Sequence, residues 1–204
     1  MPLKKITNED LETATQKVYE DLRYGIENRH INSAFNRFPE NIDEDLIAMK
    51  IALIDMTNST NLNKHLGKIG LNAMVKKIAG SDFDRRMQVG DISLVSELAK
   101  WSKEQGVNLF SFLSKYCLYH NVHCYNRDDY SIYDSIVSQH LKDYHKQFNP
   151  NFLDRLRQKC DYERFMECID TVIHENGLTT ANVRRKLDWF IWYNNRKPSS
   201  TDDK

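Results

Sequence analysis

The sequence predicts an all-α protein, and three observations carry that prediction. Apolar residues recur at helical spacing in segment after segment, opened by a capping Asn or Asp and in several cases closed by Gly. Strand signals are weak: no Asn-Gly turn joins two alternating runs, and no alternation is sustained. With seven glycines and four prolines in 204 residues, 40% hydrophobic and 28% charged, the composition suits a soluble, helix-rich chain with one core.

The elements follow in order. NEDLETATQKVYEDL reads as an exposed amphipathic helix with Asn8 as its cap, and RHINSAFNRFPEN as a loop ended by Pro39. Asp43 caps DEDLIAMKIALIDM, whose apolar positions are crowded enough for deep burial, and the polar knot TNSTN at 57–61 interrupts it. LNKHLGKIGLNAMVKKIAG reads as one helix stopped by Gly80; Asp91 caps DISLVSELAKWSKEQG, which Gly106 stops. A helix over about 109–120 comes next, then a polar connection, HNVHCYNRDD, then YSIYDSIVSQHLKDYHKQ with Asp134 near the start of another helix. Pro150 opens a tail of helices near 151–158, 161–175 and 180–195.

The helix at 109–120 poses the chemical question. It is apolar nearly all round, the pattern of a buried helix, yet it carries Lys115. A buried ammonium is costly unless paired, neutralised or used. Lys115 and Asp134 lie 19 residues apart (134 − 115), so helix, loop and helix start can fold back to bring them together. A desolvated lysine loses its proton more readily and becomes a nucleophile, while a carboxylate at a helix N-terminus is held ionised. Taken singly, a lysine that snorkels to the surface and an aspartate that merely caps are the plainer readings.

The stretch SFLSKYCLYHNVHCYNRDDYSIYDSIVSQHL resembles the catalytic segment of the helix-hairpin-helix DNA glycosylases, the superfamily of endonuclease III and 8-oxoguanine DNA glycosylase. The resemblance implies a compact two-lobed helical fold, with residues 1–42 as an N-terminal extension, 43–148 as the core and 149–204 as helices packing back on it. It implies that Lys115 is the Schiff-base lysine and Asp134 the catalytic aspartate of a glycosylase with abasic-site lyase activity. IALIDMTNSTNLNKHLGKIG resembles the early helix, loop and helix whose loop fills the gap left by an extruded base, which gives Thr57, Asn58 or Asn61 as the wedge. The partner implied is double-stranded DNA carrying a damaged or modified base, bound by a monomer, in repair or in attack on modified phage DNA. Stacking surfaces for the base come from Tyr116, Tyr119, Tyr133 or Trp189. The block also resembles a group of uncharacterised prokaryotic proteins with a similar aromatic, Lys-Tyr-Cys, His-Asn and Tyr-Asp-Ser pattern, which implies a prokaryotic member, and two departures mark it as divergent. Phe112, Leu113 and Ser114 stand where the family has a Gly-hydrophobic-Gly turn, and Cys160 and Cys168 are too few for an iron–sulfur cluster.

Other features bound the reading. Lys plus Arg equals Asp plus Glu at 29 each, so any DNA-binding face must be local. Arg184 and Arg185, with Lys186, offer such a patch, or they face water while the aromatic residues behind them pack. Cys117, His120, His123 and Cys124 are crowded, but C-x-x-H-x-x-H-C is too tight for a zinc finger, so no metal and no cofactor are expected. His120 and Asn121 are instead read as ending the helix and ordering the loop towards Asp134, with His120 also a candidate for contact with the DNA. The four cysteines and the start MPLKKITNED, without the apolar core of a secretion signal, lead to the expectation of reduced thiols in a cytoplasmic protein without a membrane span. A glycosylase-like module that binds DNA or a partner without catalysis is the alternative.

Overall fold

Capping side chains set where many of the helices begin. The computed structural model describes residues 3–22, 24–58, 60 and 62–196, and among these every regular element is helical. In α1, Asn8–Glu20, the cap is Thr7 and not Asn8: the Thr7 hydroxyl accepts from the Asp10 N–H while the Asp10 carboxylate takes the Thr7 N–H, a capping box. Asn8 instead accepts from the N–H groups of Thr179 and Thr180, tying the start of the chain to its last quarter.

The predicted loop at 29–41 is mostly helix: α2 runs Tyr24–Arg37. Its buried face rests on Gly25, Asn28, Ile31 and Phe35, a spacing of three to four residues that the surrounding asparagines disguise. Gly25 is required, because a Cβ there would stand 2.6 Å from the Tyr19 carbonyl oxygen. Asp43 does cap α3, Glu44–Asn58, accepting from Asp45 and Leu46 N–H. The segment read as one helix to Gly80 is two, α4 Asn63–Ile69 and α5 Leu71–Ala79, broken at Gly70 with φ 80°.

A short α6, Phe83–Gln88, precedes α7, Ser93–Glu104, whose first N–H is taken by Asp91. Then α8 runs Phe110–Tyr125, longer than its apolar core suggested. The remainder is α9 Ser135–His140, a 3-10 turn Leu141–Asp143, α10 Pro150–Lys159, α11 Tyr162–Glu175 and α12 Val183–Asn195.

Helix α8 is the axis of the molecule. Every residue from Phe112 to Asn121 is buried, because α2, α3, α6 and α7 all pack on it. Residues before 43 are no appendage: Leu11, Ile31 and Phe35 belong to the same apolar cluster as Phe110 and Val172, and α1 lies along α12. The four cysteines are free thiols. No helix among the described residues is long and apolar enough to cross a membrane.

Candidate functional site

Each buried polar side chain of α8 has a partner from another part of the chain, and these pairings build the site. Ser114 accepts from the Tyr133 N–H at 3.0 Å and donates to the Ser111 carbonyl. Asn121 donates to the Asp129 carboxylate and accepts the Asp129 N–H, both at 2.9 Å. The Tyr162 hydroxyl brackets Ser131, accepting its N–H at 2.8 Å and donating to its carbonyl at 2.6 Å. Tyr130 donates to the Asp91 carbonyl. The connection from 126 to 134 is therefore stitched along its length, and Asp134 arrives at a fixed place.

Asp134 is the N-cap of α9: one carboxylate oxygen accepts from the Val137 N–H at 2.9 Å, and the other stands 3.9 Å from Lys115 Nζ. At 3.9 Å the contact is an ion pair and not a hydrogen bond, which leaves room at the amine for a third group. The side chains are 9% and 17% exposed, and both line a cavity of about 650 Å³. Its wall also holds Asn58, Thr60, Tyr133, Gln139, Arg157 and Trp192. That volume is in the range of small-molecule sites and is large enough for an extruded nucleotide.

A second charged pair lies behind this one. Asp188 and Arg185 of α12 form a buried ion pair at 2.9 Å, and Arg185 also donates to Asn28. Burial pushes the Asp188 carboxyl up to about 7; Arg185 pulls it down, Asp134 adds to the rise and Lys115 opposes it. Asp188 thus lies within electrostatic reach of both members of the Lys115–Asp134 pair.

The remaining sequence-predicted residues are placed differently. Tyr133 lines the cavity, its ring edge-on to Phe110 and Phe165. Tyr116 does not: it is fully buried, with its hydroxyl donating to Asn41 Oδ1, so the expectation that it stacks a base is corrected. Tyr119, also buried, donates to Asn58 Oδ1 at 2.9 Å and so holds a side chain that does reach the cavity. Thr57 is bonded back to the Leu53 carbonyl, and Asn58 is held by Tyr119 and Thr57, so neither presents a free wedge. Asn61 lies outside the described residues.

His120 does not order the loop; Asn121 does. His120 sits in the core with Nδ1 at 2.8 Å from the Tyr116 carbonyl, which puts its proton there and leaves Nε2 to accept from Lys50 at 3.2 Å. Arg184 is engaged by Asp170 and the Asp128 carbonyl, Arg185 is buried, and Trp189 is buried against Tyr19. The expected phosphate and stacking contacts from these three are replaced by packing, because Arg185 is drawn inward to Asp188. Among the described residues, no three His, Cys, Asp or Glu side chains gather so as to hold a metal ion.

Sequence reading missed Ser114 as a stitch, Trp192 in the cavity wall, Asp188 behind the pair, and Lys50. Trp192 stacks on Tyr24 at 4.2 Å, and only that tertiary contact shows its orientation. Lys50 is the second buried lysine among the described residues, and its Nζ is occupied by the Glu40 carbonyl, Asn41 and His120 above the Phe35 ring. Burial lowers its pKa, yet it faces partners and not a cavity.

This helical fold, with a lysine–aspartate cavity beside its central helix, belongs to the HI_0787_N family of N-terminal domains, whose family model matches residues 9–129. The matched segment includes Lys115 and ends inside the stitched loop, ahead of Asp134. An uncharacterized protein of Haemophilus influenzae is 29% identical over 158 residues, covering 74% of this chain and 68% of the relative. No solved structure matches the chain.

Proposed function

We propose that the chain is a DNA glycosylase with associated abasic-site lyase activity. The observation that carries the reading is the Lys115–Asp134 pair, 3.9 Å apart at the wall of a cavity large enough for a nucleotide. In this mechanism a damaged or modified nucleotide is extruded into the cavity, with Tyr133 and Trp192 as its aromatic surfaces. Asp134 takes the proton of Lys115 or, ionised, stabilises positive charge growing on the sugar. The Lys115 amine attacks C1′, the glycosidic bond breaks, and the base leaves with that electron pair and a proton. The sugar ring then opens, the C1′–O4′ bond breaking and O4′ taking a proton as the C1′=N bond forms; this Schiff base acidifies the C2′ hydrogen, and its loss expels the 3′ phosphate.

One observation favours the second reading, a glycosylase-like module without catalysis. Phe112, Leu113 and Ser114, which stand where the family has its glycine turn, are buried residues inside α8, so no turn there offers backbone N–H groups to a phosphate.

Strand cleavage on duplexes carrying a panel of oxidised, deaminated and alkylated bases tests the proposal. Cleavage at one modified base, lost in Lys115→Gln, is the expected result. Binding to duplexes without cleavage or base release supports the second reading, and no binding to any duplex contradicts both.

A further inference from the structure

A second cavity, of about 460 Å³, takes no part in the chemistry proposed above. It lies between α1, α2, the end of α8 and the first turns of α12. Three residues of its wall carry a buried nitrogen without a hydrogen-bond partner: His123 Nε2, Arg185 Nε and Trp189 Nε1. Only one other such atom, on His145, occurs among the described residues. Arg185 is 2% exposed and Trp189 6%. Native proteins leave few buried polar atoms unpaired, and three in residues of one cavity wall, two of them N–H donors, call for a partner from outside the chain.

The chemistry of that partner follows from the groups. Guanidinium Nε–H and indole Nε1–H are donors only, so they need acceptor oxygens. Burial and the neighbouring Arg185 lower the His123 pKa to about 4, so its ring is neutral near pH 7 and makes no electrostatic demand. Lys186 stands at the rim, bonded to Glu12 and Thr180. Asn32, Asn36, Asn126 and Asn182 surround the donors with amides that can both give and accept. Asn126 and Asn182 hold left-handed backbone, φ 51° and 55°, where glycine would suffice for the turn alone. The first N–H groups of α12 are not the site, since Asp128 already accepts from Arg184 and Arg185 N–H.

We propose that this cavity binds a small molecule through an oxyanion, a carboxylate or a phosphate monoester, whose oxygens accept from Trp189 Nε1–H and Arg185 Nε–H. The asparagine amides hold the rest of the molecule. Tyr19, half-exposed and edge-on to Trp189 at 5.2 Å, also lines the cavity. A phosphate of duplex DNA carries the same chemistry, but a rigid backbone does not reach a guanidinium that is 2% exposed.

Titration of ¹⁵N-labelled protein with inorganic phosphate and with citrate tests this, following the indole N–H resonances of the three tryptophans, assigned with Trp189→Phe. A saturable shift of the Trp189 resonance, with that of Trp101 unmoved, is expected. Calorimetry should show Asn182→Asp, which places a negative charge at an exposed position, weakening the anion about tenfold, and Lys115→Gln leaving it unchanged. No saturable shift with either anion up to about 50 mM, or affinity indifferent to Asn182→Asp, overturns the proposal. So does a shift produced by a short duplex and by neither free anion, which would make the cavity part of a DNA-binding face.

Discussion

Lys50 and Lys115 are both buried, and what separates them is the space in front of the amine. Lys50 Nζ has three polar neighbours within 3.4 Å and an aromatic ring beneath it. Lys115 has one carboxylate at 3.9 Å and a cavity. Burial alone therefore does not mark a reactive lysine; an unfilled approach does. Asp188 gives a pH test at the same scale. An aspartate in an unfolded chain releases its proton near pH 4, whereas in the fold Asp188 keeps it to about 7. Between those values the native state holds the extra proton, so this group lowers stability as pH rises from about 4 to about 7. In Asp188→Asn that contribution is gone. The unfolding free energy of the variant relative to wild type, from urea melts at about pH 5 and about pH 7.5, should move in the variant's favour at the higher pH; a difference independent of pH contradicts the assignment.

At the scale of elements, the site depends on how the 126–134 connection is held to α8. Ser114 takes a backbone N–H one residue before Asp134, and that N–H is buried. Ser114→Ala should cost about 1–3 kcal/mol in denaturant melts and slow any Lys115-dependent reaction beyond what unfolding accounts for, since Asp134 loses its register. An unchanged midpoint would mean that the other stitches suffice. Gly90 shows the same tightness: at φ 70°, a Cβ there would stand 2.7 Å from the Asp129 carboxylate. These contacts explain what was legible beforehand. Asp43, Asp91 and Asp134 signal helix starts because capping is local, and Lys115 is conspicuous because its own helix is apolar. Helix α2 was hidden because Ile31 and Phe35 carry its apolar face among asparagines. Ser114 with Tyr133, Tyr119 with Asn58, and Asp188 behind Lys115 depend on which helices meet, and no local pattern encodes that.

For the whole molecule, the two ends of the chain close the structure. Asn8 bonds to Thr179 and Thr180, Ile6 N–H to Asn176, and Arg185 of α12 reaches Asn28 of α2. The family match stops at residue 129, but the core does not, since Val137, Leu153, Phe165 and Leu187 lie in the same apolar cluster as Phe110. A chain ended after Asp129 should give no cooperative thermal transition, because α1 loses α12 and α8 loses the loop that satisfies Ser114. A sharp transition with native helicity would show the matched segment to be an independent domain. The missing glycine turn and the zero net charge are likewise properties of the whole, and both limit how duplex DNA would be held.

The central claim is that the Lys115 amine is a nucleophile directed at C1′ of a sugar. Borohydride reduction of the protein mixed with duplex DNA containing an abasic site, followed by peptide mass mapping, tests it most directly. The account predicts a covalent adduct on the peptide carrying Lys115, absent in Lys115→Gln and strongly reduced in Asp134→Asn. An adduct on any other lysine, or none from a protein that binds the duplex, would contradict it.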